Sequence, residues 1–225
     1  MVGKDVLCLG FSEAQVDQFV APHQPGSIQI LTLWEDHVDA CSGKYPVMIG
    51  DITQRTNFAD DALDVVLTLS VLEHVSNVGA AFDEMARITR PDGEHVHIFG
   101  PAWSCAYGHH LYASDTDANL NFVRWTLPAH MHLLCTKSEV CDFYEEQGLN
   151  LDIGEFVWDQ FHSSDLINRK FYDDYVQLMV DRFRIVHADT MSNELPAAHL
   201  AALREKFPGR RDFSTYGGLY RLAVT

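Results

Sequence analysis

Leu63-Asp-Val-Val-Leu-Thr-Leu-Ser70 is the stretch on which the fold turns. It is an almost unbroken apolar run, bounded by Asp60-Asp61 before it and Glu73-His74 after it. A strand buried on both faces needs that pattern, and such strands occur in parallel sheets covered by helices on either side. Downstream, Asn77 is placed to cap a helix from Val78 to Thr89, with Ala81, Phe82, Met85 and Ile88 on one face. Arg90-Pro91-Asp92-Gly93 reads as the break after it, and His95 to Phe99 as a fifth strand. Upstream, Val6 to Leu9, Ile28 to Leu33 and Pro46 to Ile49 read as the first three strands. Ser12-Glu-Ala-Gln15 between the first two is a capping box that opens a helix. The alternation predicts a doubly wound, Rossmann-like α/β sheet.

Composition bounds the partners. The 225 residues are 47% hydrophobic and 21% charged, enough for a full core. Asp and Glu number 32 against 16 Lys and Arg, a formal charge of -16, which repels a nucleic-acid backbone. No apolar run reaches the roughly 20 residues that span a bilayer, and Met1 to Gly10 lacks a signal-peptide pattern, so a cytoplasmic chain is expected. The five cysteines form no C-x-x-C pair and suggest neither disulfides nor a zinc knuckle.

Beyond Gly100 the periodicity fades and Trp, Tyr, His and Asn accumulate, so residues 101–135 read as a functional loop or lid. Thr136-Lys-Ser-Glu139 is a second capping box, with Gly148 placed to end its helix, and Leu151 to Trp158 suits another strand. Residues 160–216 read as a helical insertion, with Phe171, Tyr175, Leu178, Met179 and Phe183 at helical spacing as core or as a homodimer face. Residues 217–225 read as the last strand. The expected organisation is one domain over 1–225: a cofactor-binding core at 1–100, the lid, further core at 136–159, the insertion and the closing strand. Arg210-Arg211 reads as a solvated turn or as a contact for an acidic group of a substrate.

In an open α/β sheet, ligands bind at the carboxyl ends of the strands. The residues there are Gly10, then Glu35 and Asp36, then Asp51, then Ser70 to His74. Val6-Leu-Cys-Leu-Gly10, Ile49-Gly-Asp51, Phe58-Ala-Asp-Asp-Ala-Leu-Asp-Val-Val66, Ser70-Val-Leu-Glu-His-Val75 and Glu84-Met-Ala-Arg-Ile-Thr-Arg-Pro-Asp-Gly93 follow in order. Over roughly residues 5 to 100 this series resembles class I S-adenosylmethionine-dependent methyltransferases of the type 11 kind. The resemblance implies that Gly10 makes the cofactor turn, that Glu35 (or Asp36) binds the ribose hydroxyls, and that Asp51 lies near the adenine amino group with Ile52 against the ring. Ser70 to Leu72 would line the sulfonium side. The sequence departs from the family's G-x-G-x-G, because Gly10-Phe-Ser-Glu-Ala14 keeps only the first glycine. Phe11, Ser12 and Ala14 must leave room for a ligand in another way or obstruct it.

His74, after the fourth strand, is a candidate general base, as are His109 and His110. Pro101-Ala-Trp-Ser-Cys-Ala-Tyr-Gly-His-His110 and Pro128-Ala-His-Met-His132 resemble a lid found in some of these methyltransferases, which makes Trp103, Tyr107 and His132 candidate acceptor contacts. The implied activity is methyl transfer to an oxygen or nitrogen of a small molecule or sugar, with S-adenosylmethionine as cofactor and no metal. Two other readings stand beside it. One is a regulatory domain that has lost the cofactor. The other is a metal-assisted enzyme using His109 or His110, His130 or His132, and Asp115 or Asp117, since two histidines and a carboxylate suit non-haem iron.

Overall fold

The computed structural model describes residues 1–39, 41–124 and 127–224. In chain order its elements begin with β1 (Asp5–Leu9), α1 (Glu13–Phe19), β2 (Ser27–Thr32), α2 (Glu35–Asp39), β3 (Val47–Ile49) and β4 (Leu63–Leu69). Then come α3 (Val78–Ile88), β5 (Thr89–Phe99), α4 (Met131–Leu134), α5 (Lys137–Glu146) and α6 (Leu151–His162). The chain closes with α7 (Tyr172–Val180), β6 (Phe183–Ser192), α8 (Ala197–Lys206) and β7 (Thr215–Val224). The strands form one seven-stranded sheet in the order β3-β2-β1-β4-β5-β7-β6. The five strands from β3 to β5 are parallel to their neighbours, and β7 runs antiparallel to β5. The doubly wound α/β fold expected from the sequence is therefore the observed one.

The chain divides into two compact units: Met1–Phe99 with Tyr175–Asp189 and Gly218–Thr225, and Gly100–Asp174 with Thr190–Gly217. In the first, Val6, Cys8, Phe11, Val16, Val20, Ile30, Val65 and Leu67 form a core between the sheet and α1. Ser12 caps α1 with a complete capping box, and the Asn77 side chain accepts the Ala80 amide at the start of α3. β4 is buried along nearly its whole length. The expected break at Arg90-Pro91-Asp92-Gly93 lies within β5, where the register shifts so that Leu63 pairs with Thr89 and Val65 with Glu94.

The second unit has its own core, which includes Trp103, Leu111, Met131, Leu133, Tyr144, Val157, Phe161, Phe171 and Phe213. Two expectations are corrected. Leu151 to Trp158 is part of the helix α6, not a strand; Asn150 caps it by accepting the Ile153 amide, and Gly154, Val157 and Phe161 form its buried face. The segment expected to be helical over 160–216 holds α7 and α8 but also β6, an edge strand exposed over most of its length. β6 lacks the apolar run that marks a buried strand because it has a sheet neighbour on one side only.

Candidate active site

The chain runs from β1 outward through β2 to β3, then returns to place β4 on the other side of β1. That reversal makes the β1/β4 edge the topological switch point, and in sheets of this kind ligands bind at the carboxyl ends of the strands there. Register aligns those ends. Leu9 pairs with Leu31 and Thr68, and Leu69 pairs with Ile98. The next amides carry the ladder one step further: Gly10 N–H donates to Leu31 O at 2.9 Å, Gly50 N–H to Thr32 O at 2.9 Å, and Ser70 N–H to Ile98 O at 2.8 Å. Gly10, Gly50-Asp51 and Ser70 therefore lie along one sheet edge.

Gly10 has φ +69°, and a Cβ there would come within 2.8 Å of Val71 Cγ2. The turn thus needs glycine both for its backbone and for its closeness to the segment after β4. Ser70 is also in the left-handed region, at φ +52°. Two residues of the turn are engaged by the protein itself. Phe11 is turned into the β1/α1 core and is only 4% exposed, while Ser12 and Gln15 satisfy each other's backbone amides. Glu35 and Asp51 are both exposed. Asp51 Oδ1 accepts the Thr53 amide at 2.8 Å, which holds the loop after β3, and Ile52 beneath it is buried.

Residues 5–97 match the protein-family profile described as a methyltransferase domain. Over these residues the chain is similar to methyltransferase domains. No curated protein matches the sequence. Among solved structures, an S-adenosylmethionine-dependent methyltransferase from Mesorhizobium loti superposes with a TM-score of 0.58 at 12% identity, over 99% of this chain and 91% of that one. A methyltransferase from Methanosarcina mazei gives 0.55 at 12% identity, over 100% and 93%. A geranyl diphosphate methyltransferase in complex with S-adenosylmethionine gives 0.55 at 13%, over 100% and 80%. These likenesses establish the fold.

The first unit presents further groups at the same edge. Leu33, Trp34 and Ile49, which follow or end β2 and β3, are 54%, 69% and 55% exposed. The sequence reading passed over them, and their only signal is apolar side chains where a strand end would ordinarily turn polar. After β4, the 3-10 turn Leu72–His74 exposes His74 and buries Glu73. Leu72, expected to line the sulfonium side, is wholly buried in the core. The loop after β3 is anchored from α3: Glu84 accepts from the Thr56 amide at 2.7 Å and hydroxyl at 2.6 Å, and pairs with Arg87. Burial alone would raise the Glu84 carboxyl, but the bonds from Arg87 and Thr56 outweigh it and hold it at about 2.

In the second unit, the histidines expected in a lid are packed inside. His109 and His132 are 2% exposed, with ring centroids 5.3 Å apart, against Phe161 and Trp103. His132 Nε2 donates to Trp103 O at 2.7 Å, His130 Nε2 donates to Phe213 O at 2.9 Å, and His109 Nδ1 accepts the Leu111 amide at 3.1 Å. Burial pushes His109 down to about 3 and His132 well below its ordinary value. Neutral and enclosed, they organise backbone. His110, half-buried at φ +50°, donates from Nδ1 to Gly108 O, and Tyr107 is half-buried with its ring 6.4 Å from that of His109. Among the described residues, no three-ligand cluster joins these histidines with Asp115 or Asp117, whose carboxylates instead hold the Tyr112 hydroxyl and the Asn119 amide. No helix among the described residues is long and apolar enough to cross a membrane.

Proposed function

We propose that the chain transfers a methyl group from S-adenosylmethionine to an oxygen or nitrogen of a small molecule or sugar. The observation that carries this reading is the row formed by Gly10, Asp51 and Ser70 at the switch point, with Glu35 following β2 and Phe11 withdrawn into the core. Glu35 suits the ribose hydroxyls and Asp51 the adenine amino group, because exposed carboxylates accept bonds from both. The buried Ile52 and the exposed Leu33, Trp34 and Ile49 suit the apolar ring faces. Bound S-adenosylmethionine supplies an electrophilic methyl on a sulfonium.

The chain's own contribution is position and one proton. The Gly10 turn and Ser70 fix the edge against which the methyl donor would be held, and alignment of the two reactants would supply much of the rate. His74, exposed just beyond β4, is placed to take the proton that the acceptor oxygen or nitrogen loses as the new C–O or C–N bond forms. Burial of His109 leaves His74 as the better base. A small acceptor is supported by the charge of -16, which disfavours nucleic acid, and by the geranyl diphosphate methyltransferase among the structural neighbours.

Calorimetric titration with S-adenosylhomocysteine tests the reading. The expected result is one saturable site, weakened about 10- to 100-fold by Asp51→Ala or Glu35→Ala, the range for loss of a hydrogen bond to a charged group. Absence of binding at about millimolar ligand would remove the cofactor site and return the domain to a regulatory role.

A further inference from the structure

The second unit contains a cavity of about 450 Å³, within the size range of small-molecule sites. Its apolar wall is made by Leu195, Leu200 of α8 and the buried ring of Phe213. Arg204, in the last turn of α8, and Arg211, in the following loop, also line it. Both are exposed, and among the described residues neither guanidinium has an ion pair or hydrogen bond. Neighbouring Arg210, by contrast, pairs with Asp174 and lies 4.5 Å over the Phe171 ring.

The two carboxylates at the cavity are largely committed to the protein's own backbone. Asp212 accepts the Ser214 and Thr215 amides at 2.9 and 2.8 Å and the Thr215 hydroxyl at 2.6 Å. Asp173 Oδ2 accepts the Arg211 amide at 2.8 Å, which fixes the start of the loop that carries the free guanidinium. The acids therefore shape the cavity, while the arginines keep their donors for something else.

We propose that this cavity binds a small molecule carrying a carboxylate or phosphate on an apolar body. The anion meets Arg204 and Arg211, whose planar forks match either group in bidentate fashion, and the apolar body covers Leu195, Leu200 and Phe213. The site lies wholly within the second unit and does not depend on the cofactor reading.

The test is titration of the full chain, by calorimetry or by chemical-shift perturbation, with phenyl phosphate, benzoate, inorganic phosphate and neutral benzyl alcohol. The expected result is saturable binding of phenyl phosphate or benzoate, at least about tenfold tighter than benzyl alcohol and weakened by added salt. Preference between the two anions identifies the group, and binding of inorganic phosphate alone would show that the apolar wall has no part and overturn the proposal. Arg204→Ala/Arg211→Ala should weaken binding at least about tenfold with an unchanged circular dichroism spectrum and Tm, while Arg184→Ala, on β6 outside the cavity, should leave it unchanged. No saturable binding of any anion at about 10 mM, equal binding of benzyl alcohol, or an unaffected double variant would each overturn it. Binding of S-adenosylhomocysteine is measured separately, so failure of one site is distinguishable from failure of the other.

Discussion

Ser70 holds a left-handed backbone at φ +52° although its side chain gives it no special ease there. Strain of this kind is retained where the surrounding structure demands it, and here it turns the chain at the carboxyl end of β4. Ser70→Gly is expected to raise stability by about 0.5–1 kcal/mol and Ser70→Val to lower it by about 1–2 kcal/mol, read from urea midpoints at constant m. Trp34, being 69% exposed, contributes little to the core. Trp34→Ala should leave Tm unchanged but weaken S-adenosylhomocysteine binding about 5- to 10-fold, as loss of an aromatic contact would. An unchanged affinity would detach Trp34 from the adenine. The places of Gly10, Glu35 and Asp51 after β1, β2 and β3 were legible because strand ends can be counted from sequence. Trp34 was not, because a single exposed apolar residue is ordinary, and His109 and His132 were misplaced because a histidine's identity does not reveal its burial.

At the scale of elements, periodicity served where one face is buried and failed where packing against a neighbour decides. Leu151-Asp-Ile-Gly-Glu-Phe-Val-Trp158 passes for a strand until Asn150 is seen as a cap and Gly154 as the point of approach to α5. A Cβ on Gly154 would lie 2.6 Å from Cys141 Cα, so the two helices meet backbone to backbone. Gly154→Ala is expected to cost about 1–3 kcal/mol despite its better helix propensity, measured by denaturant unfolding; a gain in stability would show that the helices separate freely. β6 was missed for the opposite reason, since an exposed edge strand carries no apolar run. The α3 anchor makes a different prediction. Glu84 ties Thr56 to α3, so Glu84→Gln should loosen the loop that bears Asp51, weaken S-adenosylhomocysteine binding several-fold and lower stability by about 1–3 kcal/mol. The Glu84→Gln variant should also lose the part of the acid sensitivity that Glu84 contributes. With the folded carboxyl at about 2 against an ordinary 4.5, that stabilisation is complete above 4.5 and disappears as pH falls toward 2.

Over the whole molecule, a response to pH comes from histidines kept neutral by burial. His95 and His97 on β5 are fully buried, with ring nitrogens 3.0 Å from the Thr89 hydroxyl and 2.9 Å from the Thr68 hydroxyl. Burial lowers His95 to about 3 and His97 well below its ordinary value, and His109 and His132 behave alike in the second unit. In the unfolded chain each takes up a proton near 6.5, whereas in the folded chain His95 and His109 do not until about 3, and His97 and His132 not until well below 6.5. The unfolded state therefore binds more protons throughout this window, and stability is complete above 6.5 and falls as pH drops. Each such group contributes about 1.4 kcal/mol per pH unit, so four together remove about 5 kcal/mol per unit. Against a typical domain stability of about 5–15 kcal/mol, unfolding is expected about one to three pH units below 6.5. Circular dichroism across an acid titration would measure it, and a chain still fully folded at about pH 3.5 would contradict the burial of these rings. His95→Gln with His97→Asn should lower the steepness of the acid transition, because two of the proton-uptake sites are gone, whatever the variant does to stability at neutral pH.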